Sequence, residues 1–214
     1  MQLSFRSLLM RQGFELRLTP KGTLPFEQAK GPLLRCVEID PKLADCHEQL
    51  GIVYLWMDEE QKALESYTRA IEVDPTELSY YAPLADLYIR LDRFADAEAV
   101  LLQAKKVARP GDKALYAISV LLSQVYQSRG DLQAMVGELE AARGYADPEK
   151  PEGTQILFNL GSTYAQLDPP RKAEAVQMLK AFHTRACKGS KAAIYRAECE
   201  TATALISKLG GGLQ

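Results

Sequence analysis

Apolar and small residues recur along this chain at helical spacing, and the pattern itself repeats. Leu50 and Tyr54 stand four apart with Gly51 between them, so the three share one helix face. After the polar stretch Asp58-Glu59-Glu60, a second stripe follows in Ala63, Tyr67 and Ala70. Asp74-Pro75 closes it, because proline disfavours helix at the residue before it. The same order of sizes returns 34 residues later in Leu84-Ala85, Tyr88, Ala97, Leu101 and Ala104, with Pro110 one step late. The spacing predicts paired helices, with small residues where backbones approach and a polar turn between the two.

The phase runs both ways. Upstream by 34 residues from Ala63, Ala70 and Pro75 lie Ala29, Cys36 and Pro41. Pro25 suits the first turn of that helix, after the loop Thr19-Pro20-Lys21-Gly22-Thr23. Its expected partner helix, about Leu3 to Leu18, fits poorly, with Pro20 where a tyrosine belongs. Downstream, Leu122-Ser123, Tyr126, Ala134, Leu139, Ala142 and Pro148 form a third good unit, four residues late. Leu160-Gly161 and Tyr164 open a fourth, whose turn at Leu167-Asp168-Pro169-Pro170 is lengthened and whose second helix runs from Pro170 or Arg171 to Ala186. A last helix, Ser190 to Leu209, has no partner after it.

This 34-residue spacing, Leu-Gly-x-x-Tyr, then Ala, then Phe or Tyr, then Pro, resembles the tetratricopeptide repeat (TPR). The resemblance covers most of the chain. It implies an all-α fold: a TPR-like right-handed solenoid of about eleven helices in antiparallel pairs, without a sheet, ending in a C-terminal capping helix that covers the last apolar face. The expected organisation is a degenerate or partial N-terminal repeat over 1–43 and repeats over 44–77 and 78–111. TPR-like units follow over 112–149 and, with the lengthened turn, 150–188. The capping helix lies within 189–209 and a flexible tail over 210–214.

Composition adds exclusions. A formal net charge of -2 over 214 residues gives no electrostatic reason to expect nucleic acid or an anionic membrane as partner. No apolar run approaches the roughly 18 residues of a membrane span. Met1 to Arg11 is too short and too broken for a signal peptide, although the chain fits the processed part of an exported protein.

The four cysteines fall in two close pairs, Cys36 with Cys46 and Cys187 with Cys199. In the TPR phase, Cys36 takes the small-residue position facing the next helix, and Cys46 lies in that helix's first turn. Two pairs in equivalent places favour disulfides, and hence an oxidising compartment such as a bacterial periplasm, over four buried thiols in a cytosolic protein. Zinc is the sharper alternative, through His183 with Cys187 and Cys46 with His47. Neither group offers the four convergent ligands that zinc needs, so no metal and no cofactor is expected.

Other motifs have plainer readings. Arg129-Gly130-Asp131 spells an adhesion tripeptide but occupies a tight inter-helix turn that needs glycine. Asp58-Glu59-Glu60 suits the start of a helix better than acid catalysis. No Ser-His-Asp set, phosphate loop or dinucleotide fingerprint is present, and an enzyme is not expected.

The resemblance locates a concave wall on the first helix of each pair. The residues expected to meet a partner are Glu48, Ile52, Leu55, Trp56, Asp86, Ile89, Arg90, Gln124 and Phe158. Val120, Gln127, Ser162, Ala165 and Gln166 extend the wall. Core packing is the competing role for Trp56 and Phe158. Some TPRs clamp a C-terminal carboxylate with Lys and Asn. Here Glu48 and Ile52 stand at those positions, which favours an extended or helical peptide with apolar anchors. The expected function is therefore a non-catalytic protein-binding scaffold, such as part of a bacterial envelope assembly for motility, pilus or secretion. The alternative is a cytosolic adaptor or regulatory domain of a larger protein.

Overall fold

The computed structural model describes residues 24–148, 150–189 and 191–212, with side chains from Glu27 onward. All described regular structure is helical: α1 Leu24–Ile39, α2 Ala44–Trp56, α3 Glu60–Val73, a short 3-10 turn Leu78–Tyr80, α4 Tyr81–Arg90 and α5 Phe94–Val107. Then come α6 Ala114–Ser128, α7 Leu132–Tyr145, α8 Pro151–Gln166, α9 Lys172–Ala186, α10 Lys191–Ile194 and α11 Arg196–Lys208. The helix expected over Leu3 to Leu18 lies outside the described residues. The single helix expected over Ser190 to Leu209 is instead two, α10 and α11, broken at Tyr195. The Tyr195 ring stands edge-on to Phe182 of α9, with centroids 5.9 Å apart. Pro32 sits inside α1 and fills no position of the repeat pattern.

The chain divides into two compact units, Met1–Arg109 and Pro110–Gln214. In the first, α2 packs on α1 and α3, α4 packs on α5, and α3 meets α4. In the second, α6 packs on α7 and α8 on α9, α7 meets α8, and α11 packs on both α9 and α8. The repeat residues fill the cores. Leu50, Ala63, Tyr67 and Ala70 are buried in the first unit, as are Leu84, Ala97, Leu101 and Ala104. Leu122, Leu139, Ala142, Leu160 and Tyr164 are buried in the second, around Phe182 and Leu179. α11 closes that core with Ala202 and Ile206, as a capping helix must.

One hydrogen bond recurs at the turn inside each pair. The N–H at the start of the second helix donates to the carbonyl of the repeat tyrosine: Glu59 to Tyr54 at 2.9 Å, Arg93 to Tyr88 at 2.8 Å, Asp131 to Tyr126 at 3.0 Å and Arg171 to Tyr164 at 3.0 Å. The lengthened fourth turn therefore rejoins the same bond. Cations cover these rings: Lys30 over Tyr54 at 5.0 Å, Arg93 over Tyr88 at 4.6 Å and Arg171 over Tyr164 at 4.4 Å. Gly130 has φ +72°, and Asp131 caps α7 by accepting from the Ala134 N–H at 3.0 Å, so the Arg-Gly-Asp stretch is a helix-pair turn.

Candidate functional site

The site grows from the positions on α6 and α8 that the core leaves over. Buried Leu122 and Val125 turn one face of α6 into the core. Gln124 and Gln127, three apart, then share another face and are exposed. On α8, buried Leu160 and Tyr164 leave Phe158, Asn159, Ser162 and Gln166 over. These two helices and α11 border a cleft of about 510 Å³ within the second unit. Its apolar part is Val120, Met135, Phe158 and Leu205. Its polar part is Ser123, Gln124, Gln127, Asn159, Ser162, Thr163, Gln166 and Thr201.

The hydroxyls are mostly turned onto their own helices. Ser123 donates to the Val120 carbonyl at 2.6 Å, Thr163 to Asn159 at 2.7 Å and Thr201 to Ala197 at 2.9 Å. Ser162 differs, since its Oγ is buried without a hydrogen-bond partner. Gln155 donates to the Asn159 side-chain oxygen at 3.1 Å, and Gln166 to the Ser162 carbonyl at 3.1 Å. Phe158 has both roles weighed for it: its ring lies 5.1 Å from that of Phe182, and it also lines the cleft.

The structure thus brings together Gln124 and Phe158 with Val120, Gln127, Ser162 and Gln166. Sequence reasoning missed Ser123, Met135, Asn159, Thr163, Thr201 and Leu205 as lining residues. Asn159 is the neighbour of an expected residue, while Thr201 and Leu205 belong to a helix assigned only a covering role. Their signal was the amphipathic spacing of the cap, whose buried residues Ala202 and Ile206 alternate with these.

The other seven expected residues lie on α2 and α4 of the first unit. Trp56 is 64% exposed and does not serve as a core residue. Asp86 and Arg90 are exposed, and Glu48, Ile52, Leu55 and Ile89 are half-buried. The carboxylate of Glu48 accepts from the Gln49 side-chain amide. A cleft of about 270 Å³ in this unit, lined by Thr68, Ile71, Leu84, Tyr88, Val100 and Gln103 among others, includes none of the seven.

Both cysteine pairs meet at bonding distance. Cys36 and Cys46 have Cα atoms 6.3 Å apart, and Cys187 and Cys199 5.6 Å. The first pair is buried, and the second is partly exposed beside His183. His47 is buried with its Nε2 3.0 Å from the Pro41 carbonyl oxygen. No helix among the described residues is long and apolar enough to cross a membrane.

The tetratricopeptide repeat model matches residues 44–77. No curated protein matches the sequence. Among solved structures, pilF of Pseudomonas aeruginosa superposes with a TM-score of 0.71 at 17% identity, covering 97% of this chain and 93% of its own. MamA gives 0.62 at 20% identity, covering 75% and 88%. YrrB, described as a TPR protein with an unusual peptide-binding site, gives 0.59 at 19% identity, covering 80% and 84%. Residues 44–77 are a tetratricopeptide repeat, and the chain has the all-α fold of tetratricopeptide-repeat solenoids, helix pairs closed by a C-terminal capping helix.

Proposed function

We propose that this protein is a non-catalytic scaffold that binds a segment of a partner protein. The observation that carries this reading is the cleft bordered by α6, α8 and α11, which holds apolar and polar side chains together in one concavity. In the first unit the reading assigns Glu48, Ile52, Leu55, Trp56, Asp86, Ile89 and Arg90 to partner contact, with exposed Trp56 as the large apolar anchor. The likeness to YrrB, described with a peptide-binding site, supports it.

The setting proposed is an oxidising compartment, with the protein part of a bacterial envelope assembly. Two cysteine pairs at bonding distance support this. Mass analysis of native material with and without reductant tests the setting: four free thiols would favour the cytosolic adaptor instead.

Site-specific photo-crosslinking tests the binding surface. A crosslinker placed at Gln124 or Arg90 should capture a partner in the native cell. The same group at Glu65 of α3 or Gln177 of α9, both exposed on second helices of pairs, should not. Capture only at Glu65 and Gln177 would reverse the assignment of the face.

A further inference from the structure

The cleft of the second unit is lined by twelve side chains, all of them uncharged. Resting on the reading of this cleft as the docking site, we infer that the segment it takes is an extended, uncharged stretch of polypeptide. Its main chain is held by the amides of Gln124, Gln127, Asn159 and Gln166, and its apolar side chains rest on Val120, Met135, Phe158 and Leu205.

Charge is the first argument. A charged side chain entering the cleft would leave water and meet no countercharge among these twelve, which opposes binding. Hydrogen-bonding capacity is the second. A carboxamide presents one acceptor oxygen and an N–H donor group, the same pair that a peptide unit presents. With the Asn159 oxygen engaged by Gln155 and the Gln166 N–H by the Ser162 carbonyl, Asn159 offers its N–H and Gln166 its oxygen to the free C=O and N–H groups of an extended chain, beside Gln124 and Gln127. A helical segment has already satisfied those groups internally and would leave the amides facing its side chains.

The hydroxyls fit the same ligand. Ser123, Thr163 and Thr201 donate their protons to carbonyls of their own helices, which leaves their oxygens as acceptors for incoming N–H groups.

A random peptide display library panned against the full protein tests the inference. The recovered pool should be depleted of Asp, Glu, Lys and Arg relative to the input. Its clones should bind the double variant Gln124→Ala/Gln127→Ala about tenfold more weakly, with helix content unchanged by circular dichroism. A single Gln124→Glu substitution, on an exposed position, should shift the recovered pool toward lysine. Clones rich in charge that still lose affinity in the double variant would overturn the uncharged class and leave the cleft as the docking site. Clones that bind the double variant as well as the parent would overturn the cleft itself. An empty pool would count against both.

Discussion

At Gly51 the place of a side chain is already taken. A Cβ built there would lie 2.7 Å from Cε1 of the Tyr67 ring, and one at Gly161, the same repeat position, 2.6 Å from Cγ of Leu179. In these two pairs glycine lets the second helix lay a large side chain directly on the first helix's backbone. Alanine is the better helix former by about 1 kcal/mol, yet overpacking a filled core costs about 1–3 kcal/mol. Gly51→Ala and Gly161→Ala should therefore lower the melting temperature. Gly137, exposed on α7 with open space around it, should behave oppositely, Gly137→Ala gaining about 0.5–1 kcal/mol. Thermal unfolding of the three variants checks the signs, and a second change, Tyr67→Leu, should recover part of the Gly51→Ala loss. The need for a small residue at Gly51 was legible in the sequence, because the 34-residue echo keeps Gly or Ala there. The left-handed backbone at Asp58 (φ 57°) and Asp92 (φ 56°) was not legible. Neither is glycine, and only their 34-residue separation, followed by Gly130 38 residues on, shows that each turn demands this conformation.

Between elements, the two cysteine pairs differ in what shields them. Cys36 and Cys46 are fully buried where α1 meets the start of α2. Cys187 follows α9 and Cys199 lies in α11, and both border an open cleft with His183, Glu200 and Thr203. Thiol–disulfide exchange requires a thiolate to reach a sulfur. Rising reductant should therefore expose Cys187 and Cys199 to alkylation in the folded protein before Cys36 and Cys46, as peptide mapping would show. The opposite order would mean that the cap shields its sulfurs better than the core does. Each bond closes a short loop, with sequence separations of 10 and 12, and so is worth roughly 2–3 kcal/mol by restriction of the unfolded chain. Loss of Cys187–Cys199 also unties α11, which supplies Thr201 and Leu205 to the candidate cleft. The closeness of Cys36 and Cys46 was legible because the repeat phase places a second-helix end against the next helix start, and that of Cys187 and Cys199 from the same placement carried over to the cap. The break at Tyr195 and the cap's part in the cleft were not. Beyond the last repeat there is no phase to read, and the edge-on contact of Tyr195 with Phe182 depends on how the cap folds back on α9.

Across the whole molecule, the repeat pattern explains how helices pair but says little about how charge is arranged. The net charge of -2 hides local pairs that form where helices begin. Lys62 and then Lys30, by hydrogen bonds, hold the Glu59 carboxyl below its ordinary 4.5. Its own backbone N–H and then Arg171 lower Glu174 from the same value. The Thr76 side chain and backbone lower Asp74 from 3.8. A lowered native pKa means stability that is present above the unfolded value and lost as pH falls through the native one. At the other end, burial, and then donation to the Glu140 carboxylate, push Tyr164 up to about 12. Burial, and then the 2.5 Å bond to Asp45, raise Tyr80 as well. A raised native pKa means stability that is complete below the ordinary 10 and lost as pH rises toward the native value. These five groups therefore predict a plateau in the urea midpoint between about pH 4.5 and pH 10. A modest acid fall is expected, because the three carboxylates are exposed and screened. A steeper alkaline fall should follow from these two buried phenols, joined by Tyr81 and Tyr116, which burial raises too. The double variant Tyr80→Phe/Tyr164→Phe separates the causes. Phenylalanine cannot ionise, so the variant should start from a lower plateau, having lost two hydrogen bonds, and should show a shallower alkaline limb. An alkaline limb of unchanged steepness would assign the loss to other groups.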